Sequence, residues 1–405
     1  MVCTGCACLC DDINCEINEN QFSRVENACA RGAALFYATD EVQRRTICTI
    51  KERKTSPEEA VERAAQILRN ARNPLIFGLD NSTLEAQKVG IKLAQTLGAV
   101  IDDTSSFCHG DLIRAILNGD IPTCSLSEVK DSSSLIIYWG SNPHHSHPRH
   151  LSSFSYYPHE ESRKTDFMPD VELSCIEVRD TETSLMCHPI FKIRPGEDGK
   201  FIQKIIASIR GTDNTPDAKT FVDMVEKADF CVIFAGLGLT YSLDGDFRSF
   251  TEMIHALRSS TRVAVVPMVG HFNMRGFNHS LYKETGYVNK ISFASGISYG
   301  EEFSLLEQIW RGATDCILIA GSDPFLNLPR SLMKKLQDIP IICLDPFITS
   351  TTRSSDVVLA TAVSGIEVGG SAIRMDGEKV LLNQVKSAFV PSDESVLKTL
   401  LDMLR

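Results

Sequence analysis

Short apolar runs alternate along this chain with segments whose apolar residues recur at helical spacing. Residues 74–79 (PLIFGL) predict a buried strand, and Leu84–Leu97 carries apolar residues at the spacing of a helix. Val100–Asp102 then begins a second strand, so the three segments together predict a βαβ unit. In open α/β sheets ligands collect beyond the carboxyl ends of the strands, and here Cys108 and His109 follow such an end.

The same alternation continues along the chain and predicts a class of fold. Further apolar runs predict strands, most of which lead into a turn of Gly, Asn or Asp; they cover residues 134–139, 174–178, 229–234, 263–266, 315–320 and 339–344. Strands that alternate with helices favour parallel sheets covered on both faces. The chain is therefore predicted to be an α/β protein with two doubly wound lobes that share one long ligand.

Length and composition narrow the class of protein. At 405 residues the chain is long enough for two or three domains. The formal charge of −11 argues against nucleic acid as the main partner, because phosphate binding needs a basic face. No apolar run reaches about 18 residues, so no membrane span is expected. Met1 begins no signal-peptide pattern, and we expect a cytoplasmic location.

Fourteen cysteines in a reducing cytoplasm indicate metal ligands or small buried residues rather than disulfides. Cys3, Cys6 and Cys10 lie close together in the sequence, and Cys29 follows at a distance. Three such thiolates can wrap around an iron–sulfur cube while the distant cysteine closes the fourth corner. The same four thiolates could instead hold a tetrahedral zinc ion. Cys8 lies outside this ligand set in either case.

Other candidate residues each have a functional and a structural interpretation. Cys108 beside His109 predicts a thiolate ligand with an acid/base partner, or two core residues. Arg275 lies in a segment of Gly, Asn, His and Phe predicted to be a loop, where it is either a functional arginine or a surface turn residue. A histidine-rich segment predicts a solvated loop, with metal binding as the alternative; it contains His144, His145, His147, His150 and His159.

Three turns after predicted strands are candidates for binding a nucleotide. Glycine turns expose backbone N–H groups that can approach a phosphate, and an acidic residue just past a strand often contacts a ribose. Two turns are of the first kind: one contains Gly140, Ser141 and Asn142, and the other contains Gly236 and Gly238. The second kind follows residues 174–178 and begins at Arg179 and Asp180.

The order of motifs resembles the molybdopterin oxidoreductases over nearly the whole chain. The matching motifs are CTGCACLCDDI with a later Cys29, DDTSSFCHG, YWGSNP, EVRDTETS, IRPGED, FAGLGLT, AGSDPF and LDPFITSTTRSSDVVLATAVSGIEVGGSAIRMDG. Within that superfamily, CTGCACLCDDI together with CHG and MRGFN is most similar to the B-subunit family of formylmethanofuran dehydrogenase. That enzyme is the molybdenum or tungsten enzyme of archaeal one-carbon metabolism, including methanogenesis.

The resemblance implies a set of cofactors and the residues that would hold them. A [4Fe–4S] cluster is implied on Cys3, Cys6, Cys10 and Cys29. Two molybdopterin guanine dinucleotides would surround one tungsten or molybdenum, which has a sulfido ligand and is bound by Cys108. The two metals use the same ligands, and the sequence is compatible with either.

The resemblance also implies roles for single residues and a division into domains. His109 and Arg275 match the histidine and the arginine of the active site. The nucleotide contacts would come from Gly140, Ser141, Asn142, Asp180, Thr183, Gly196, Asp198, Gly236, Gly238 and Asp323. The implied domains are an iron–sulfur domain at 1–52, a first pterin-binding domain at 53–150 with 303–390, and a second pterin-binding domain at 151–302.

The implied activity is the reversible two-electron reduction of CO2 to formate by a catalytic subunit of a larger assembly. Expected partners are an amidohydrolase subunit, which joins formate to methanofuran, and polyferredoxin-type electron donors. The chain ends soon after SGIEVGGSAIRMDG, before the C-terminal barrel of single-chain formate dehydrogenases, so a separate dinucleotide-binding barrel subunit is also expected. The alternatives are a formate dehydrogenase catalytic subunit, a non-redox scaffold of a formyltransferase/hydrolase complex, and a zinc-stabilised binding module.

Overall fold

A computed structural model describes residues 1–41, 44–156 and 171–405. The chain folds as two compact units. Unit 1 consists of Met1–Phe107, His271–Arg374 and Lys379–Arg405. Unit 2 consists of Cys108–Gly270, in its described part, and Met375–Glu378. The predicted three-domain division stays a prediction.

The described part of the chain alternates strands and helices. Its strands are β1 Asn14–Asn18, β2 Gln21–Glu26, β3 Cys48–Ile50, β4 Arg53–Thr55, β5 Pro74–Gly78, β6 Val100–Asp102, β7 Leu135–Trp139, β8 Glu172–Glu177, β9 Ile190–Lys192, β10 Phe230–Ala235, β11 Arg262–Pro267, β12 Ile291–Ser292, β13 Ser298–Tyr299, β14 Cys316–Ala320, β15 Ile341–Asp345, β16 Val357–Ala360, β17 Gly370–Ile373 and β18 Lys379–Leu382.

Its helices are α1 Ala30–Ala38, α2 Pro57–Asn70, α3 Leu84–Leu97, α4 Gly110–Leu117, α5 Leu126–Ser132, α6 Pro143–Ser146, α7 Asp198–Ile209, α8 Pro216–Lys227, α9 Leu237–Ser242, α10 Arg248–Leu257, α11 Met274–Thr285, α12 Leu305–Arg311, α13 Arg330–Lys335, α14 Ser350–Arg353 and α15 Asp393–Leu404.

Unit 1 is built on a nine-stranded sheet in the order β13-β12-β6-β5-β14-β15-β16-β3-β4. Its five central strands, which are β6, β5, β14, β15 and β16, are parallel to one another. The two strands at either end run antiparallel to their neighbours. Helices α2, α3, α11 and α15 contribute to one apolar core with the sheet, in which Ala64, Leu93, Leu318 and Leu397 are fully buried. Burial on both faces explains why the central strands read as continuous apolar runs.

Unit 2 contains a five-stranded parallel sheet in the order β11-β10-β7-β8-β9. Trp139 lies at the centre of its core, with ring centroids 6.0 Å from Phe221 and 5.6 Å from Phe250. The indole N–H would be unsatisfied in such a core. It donates to the carboxylate of Asp198 at 2.7 Å.

The parallel strands of the two units have equivalent arrangements. In unit 1 the chain moves outwards from β5 to β6 on one side and from β14 to β16 on the other. In unit 2 it moves outwards from β10 to β11 on one side and from β7 to β9 on the other. Each sheet therefore has a switch point, between β5 and β14 or between β10 and β7, where the direction of winding reverses. Such points open a crevice at the carboxyl ends of the strands.

Several local predictions are confirmed. Helix α2 begins where its sequence predicts, because the Ser56 hydroxyl accepts the N–H of Glu59 at 3.2 Å and Pro57 occupies the first turn. The mixed α/β class is also confirmed, and β5, α3 and β6 form the predicted unit. The segment around Arg275 was predicted to be a loop, which is wrong: the residue lies in the first turn of α11. None of the described helices is both long and apolar enough to cross a membrane.

Candidate functional site

The N-terminal cysteines lie in one small region of unit 1. The loop from Cys3 to Cys10 is closed by the N–H of Cys3, which donates to the carbonyl of Cys10 at 2.8 Å. Cys29 caps the start of α1 and its sulfur accepts the N–H of Gly32 at 3.4 Å. A Cβ on Gly32 would lie 2.9 Å from the sulfur of Cys3 and 3.8 Å from that of Cys29. The fold therefore brings the distant cysteine beside the loop.

The thiols of this loop also influence one another. The pKa of Cys3 is raised to about 11, chiefly by burial. The N–H of Gly5 acts to lower this pKa, and the nearby sulfurs of Cys6 and Cys29 act to raise it. A hydrogen bond from the Cys8 thiol holds the pKa of Cys6 below its usual value, and the same contact and burial raise the pKa of Cys8. Cys8 is thus packed against a predicted ligand, with its side chain 1% exposed.

The residues present are suited to a thiolate metal centre. The N–H groups of Gly5 and Gly32 donate to the sulfurs of Cys3 and Cys29, each at 3.4 Å, and hydrogen bonds to sulfur adjust the potential of iron–sulfur clusters. Across residues 1–41, 44–156 and 171–405, no three His, Cys, Asp or Glu side chains are arranged to hold a single metal ion.

Cys108 and His109 begin unit 2 at the amino end of α4. Cys108 is half-buried. The pKa of the Tyr241 hydroxyl is raised mainly by its own burial, and the charge of Cys108 adds to this shift. His109 is 2% exposed. Burial, together with the nearby His147, lowers its pKa to about 4, and the backbone of Ala235 acts in the opposite direction. The imidazole is therefore neutral at neutral pH, and among the described residues neither ring nitrogen has a well-formed hydrogen bond.

The switch point of unit 2 is formed by two glycine turns in direct backbone contact. The N–H of Gly140 donates to the carbonyl of Ile176, and that of Gly236 donates to the carbonyl of Trp139, both at 2.9 Å. The N–H of Gly238 donates to the carbonyl of Gly140 at 3.1 Å. A Cβ on Gly236 would lie 2.2 Å from that same carbonyl oxygen. Glycine is thus required here by the close approach of the two chains.

The switch point of unit 1 repeats this pattern with other residues. The N–H of Gly321 donates to the carbonyl of Leu344 at 2.9 Å, and that of Leu79 donates to the carbonyl of Ala320 at 2.7 Å. In place of a backbone N–H, the side-chain amide of Asn81 donates to the carbonyl of Gly321 at 2.9 Å.

The central glycine of each turn is followed by a buried serine. Gly140 and Gly321 have φ values of +57° and +58°, in the left-handed region that favours glycine. Ser141 is 6% exposed and Ser322 is 4% exposed. In the described part of the chain neither serine hydroxyl has a hydrogen-bond partner. Buried hydroxyls are normally satisfied, so the two switch points present equivalent polar groups suited to a ligand.

The residue after each serine ties the turn to the next loop. Asn142 accepts a hydrogen bond from the Thr183 hydroxyl at 2.7 Å. Asp323 accepts from the hydroxyl of Thr351 at 2.6 Å and from its N–H at 2.8 Å. Asn142, Thr183 and Asp323 therefore fix the shape of the turns in this structure.

The other predicted nucleotide contacts of unit 2 lie in different surroundings. Asp180 is exposed and forms an ion pair with Lys192 at 2.6 Å. Gly196 has a φ of +80° and open space where a Cβ would be. Asp198 is buried, and one of its carboxylate oxygens is already used by the Trp139 indole.

Arg275 is buried in unit 1, with 4% of its surface exposed. The interpretation as a surface turn residue is therefore wrong. The N-cap of its helix is held on two sides: Asn273 donates to the carbonyl of Ser82 at 2.7 Å and accepts the N–H of Ile373 at 2.8 Å. The pKa of His279 is lowered by burial, by Lys283 and, to a smaller extent, by Arg275.

The prediction of a solvated histidine loop is only partly right. His144 and His145 are exposed, whereas His147 and His150 are 2% and 0% exposed. His150 packs edge-on against Phe234 with ring centroids 4.5 Å apart. His159 lies outside the described residues.

Sequence reasoning missed a group of buried acids at the carboxyl edge of the unit 1 sheet. Asp80, Asp102 and Asp103 are all fully buried. Burial raises the pKa of Asp102 to about 7, and burial together with the charge of Asp80 raises that of Asp103. Asp80 forms an ion pair with His271 at 2.8 Å. The sequence offered one signal, since Asp102 ends β6, Asp103 follows it, and Asp80 lies two residues after β5.

Solved structures with similar folds support the class of protein. One chain of the formyltransferase/hydrolase complex from Methylorubrum extorquens, crystallised with methylofuran, has a TM-score of 0.72 at 20% identity, over 88% of this chain and 98% of that one. Acetylene hydratase from Pelobacter acetylenicus has a TM-score of 0.65 at 10% identity, over 100% of this chain and 68% of that one. This chain is thus an α/β protein of a fold shared with both.

Sequence relatives define the family more narrowly. The B subunit of the tungsten-containing formylmethanofuran dehydrogenase 2 from Methanocaldococcus jannaschii is 31% identical over 100% of this chain and 98% of its own length. Its counterpart from Methanococcus maripaludis is 30% identical over 99% and 97%. No protein-family model matches the sequence. The chain belongs to the B-subunit family of formylmethanofuran dehydrogenase.

Proposed function

We propose that this chain is the redox subunit of a formylmethanofuran dehydrogenase, which interconverts CO2 and formate. The balanced reaction is CO2 + H⁺ + 2e⁻ ⇌ HCO2⁻. The relatives named above are called tungsten-containing, and this supports a tungsten or molybdenum centre held by two pterin dinucleotides. When bound, such a centre supplies the two-electron chemistry that the side chains of this protein lack.

The single observation that carries the proposal is the pair of equivalent switch points. Each has a left-handed glycine followed by a buried serine whose hydroxyl has no partner among the described residues. One dinucleotide has a diphosphate and a guanosine end, which need N–H and hydroxyl donors at a close backbone approach. Two such cradles, at Ser141 in unit 2 and at Ser322 in unit 1, match two dinucleotides.

Cys108 would hold the metal and His109 would handle the proton. A thiolate is the form of cysteine that binds metals, and Cys108 is half-buried at the amino end of α4. Because the pKa of His109 lies at about 4, its neutral ring has one nitrogen that donates and one that accepts a hydrogen bond. It can therefore donate a hydrogen bond to a substrate oxygen, or relay the proton released on formate oxidation without retaining it.

Arg275 would bind the carboxylate of formate. A guanidinium presents two parallel N–H groups to a carboxylate, and a buried one acts in a medium of low dielectric constant.

Cys3, Cys6, Cys10 and Cys29 would hold a [4Fe–4S] cluster through which electrons reach the metal. The proposed partners are an amidohydrolase subunit that uses formate, a dinucleotide-binding barrel subunit and polyferredoxin-type electron donors.

The test is a comparison of two cysteine variants in the anaerobically purified complex. Cys108→Ser should lose bound tungsten or molybdenum and all formate oxidation with a dye acceptor, while its iron and sulfide content stays unchanged. Cys124→Ser removes another thiol of unit 2, one that is 4% exposed, and should keep both metals and activity. Full activity in Cys108→Ser would refute the ligand assignment. A parent complex with neither tungsten nor molybdenum would favour the scaffold role instead.

A second variant tests the carboxylate site. Arg275→Lys keeps the charge but loses the two-pronged geometry. Losing one charge-assisted hydrogen bond costs about 1.5–3 kcal/mol, which is roughly a 10- to 150-fold fall in formate turnover. The metal and iron contents should not change. Near-normal turnover would mean that formate has another partner.

A further inference from the structure

Unit 1 contains a cavity of about 400 Å³ that the proposed function does not use. It is lined by α3, α11 and the β17–β18 hairpin. Its apolar part is formed by Leu84, Ile91 and Ile373, which are 6%, 3% and 8% exposed. The other lining residues are polar, and four of them are lysines that define what we call the basic groove; they are Lys88, Lys92, Lys283 and Lys379.

The basic groove concentrates positive charge on a chain whose formal net charge is −11. Glu284 is the carboxylate among the residues that line it. The lysines of the groove are not among those that form ion pairs in the described part of the chain, which are Lys192, Lys200, Lys219, Lys290 and Lys386. Lys92 donates to the Gln95 side chain at 3.4 Å, and Lys379 helps to lower the pKa of Glu85. No ion pair among the described residues holds the four ammonium groups, so their charge can act on a ligand.

Two of the lysines lie where their charges repel each other. Lys88 and Lys92 are four residues apart on α3, and like charges at that spacing destabilise a helix. His279 and Lys283 have the same spacing on α11. The pKa of half-buried His279 is lowered by burial and then by the charges of Lys283 and Arg275. The electrostatic potential at this side chain of the groove is therefore positive. Charge that opposes folding and lines a cavity is typical of a binding surface.

We propose that the basic groove is the docking site of an acidic segment of a partner polypeptide. The four ammonium groups would meet carboxylates spaced along the segment, and Leu84, Ile91 and Ile373 would receive an apolar side chain between them. Flexible, exposed lysines act as separate point charges, which suits several carboxylates better than one phosphate. The lining residues that the structure describes include no glycine or arginine, so they lack the close backbone approach and the planar fork that phosphate sites use.

The experiment uses the full chain and a fluorescein-labelled peptide of alternating glutamate and leucine, followed by fluorescence anisotropy at low and high salt. Lys88→Gln/Lys92→Gln should bind the peptide roughly 2- to 30-fold more weakly, the range expected for two exposed ion pairs. The matched control, Lys54→Gln/Lys334→Gln, removes two exposed lysines of unit 1 that lie outside the groove and should bind like the parent. A peptide with glutamine for glutamate should not bind.

Three results would overturn the proposal. Equal weakening in both double variants would show only a general effect of net charge. Inorganic pyrophosphate that displaces the peptide and binds more tightly would make the groove a small-anion site. A dimer of the full chain that dissociates only in Lys88→Gln/Lys92→Gln would make a second copy the occupant. None of these readouts depends on the metal or on formate oxidation, so they fail independently of the proposed function.

Discussion

The two switch points reach the same turn geometry with different chemistry. In unit 2 a backbone N–H of Gly238 contacts the carbonyl of Gly140, whereas in unit 1 the Asn81 side chain contacts the carbonyl of Gly321. A glycine-to-glycine contact brings two backbones together, and an amide side chain spans a wider gap. The comparison teaches that strand order and the left-handed glycine define the cradle, while the group that closes it can vary.

The carboxyl edges of the two sheets differ in charge as well. Unit 1 buries Asp80, Asp102 and Asp103 behind its switch point. Unit 2 has exposed charges in its corresponding region, such as the ion pair of Asp180 with Lys192. The buried acids should therefore make the stability of unit 1 depend on pH.

The largest effect should come from Gly140→Ala. Its Cβ would lie 2.5 Å from the N of Leu239, and its φ is +57°. The left-handed conformation costs roughly 1–2 kcal/mol and overpacking a further 1–3 kcal/mol or so. We expect the free energy of unfolding to fall by about 2–5 kcal/mol, measured by urea denaturation.

A matched substitution separates the two contributions. Gly211 has a φ of +70° but open space where a Cβ would be, so Gly211→Ala should show the conformational part alone. Equal losses in the two variants would mean that the contact between the glycine turns does not restrict Gly140.

Asp102→Asn should remove one contribution to the pH dependence of unit 1. The pKa of Asp102 is about 7 in the folded chain, against an ordinary value of 3.8. The folded state therefore binds more protons than the unfolded state between these values, and its stability falls as the pH rises through that window. One such group contributes up to about 1.4 kcal/mol per pH unit. The variant should have a flatter profile of urea midpoint against pH between about 4 and 7.

An exposed acid of unit 1 provides the control for that measurement. Asp338 lies on the surface, and Asp338→Asn should leave the profile as in the parent. If Asp102→Asn follows the parent profile too, Asp102 is not a source of the pH dependence.

The smallest effect is expected at the strand end that precedes each turn. In unit 2 this residue is Trp139, whose indole donates to buried Asp198, and in unit 1 it is Ala320. Trp139→Phe leaves a buried carboxylate without that donor, at a cost of about 1–3 kcal/mol. Calorimetric unfolding should show this loss, and Trp139→Phe/Asp198→Ala should recover part of it. No recovery would mean that ring packing, not the hydrogen bond, stabilises this position.

The fold class and most strands were predictable because burial on both faces makes each strand a short apolar run, as in β7 and β14. The turn of unit 1 at Asp80 and Asn81 was missed because it closes through a side chain and lacks the glycine pair that marks unit 2. The helical position of Arg275 was missed because Gly276 and two asparagines are typical of a turn. The close contact of Gly276 with Asn273 and Leu84, which a Cβ would meet at 2.0 and 2.8 Å, is a tertiary constraint that local sequence does not show.

The discontinuity of unit 1 has a consequence for synthesis on the ribosome. Strands β5 and β6 emerge early, but β14, the parallel neighbour of β5, follows only after residues 108–270 of unit 2. Such non-local pairing is slow to form, and domains fold as they emerge. The cysteine loop waits longer still, since Val2 and Leu9 pack against Ala372 and Leu382 of the C-terminal hairpin. We therefore expect residues 108–270 to fold first, and the N-terminal cysteine loop to be covered only after the C-terminal hairpin has been made.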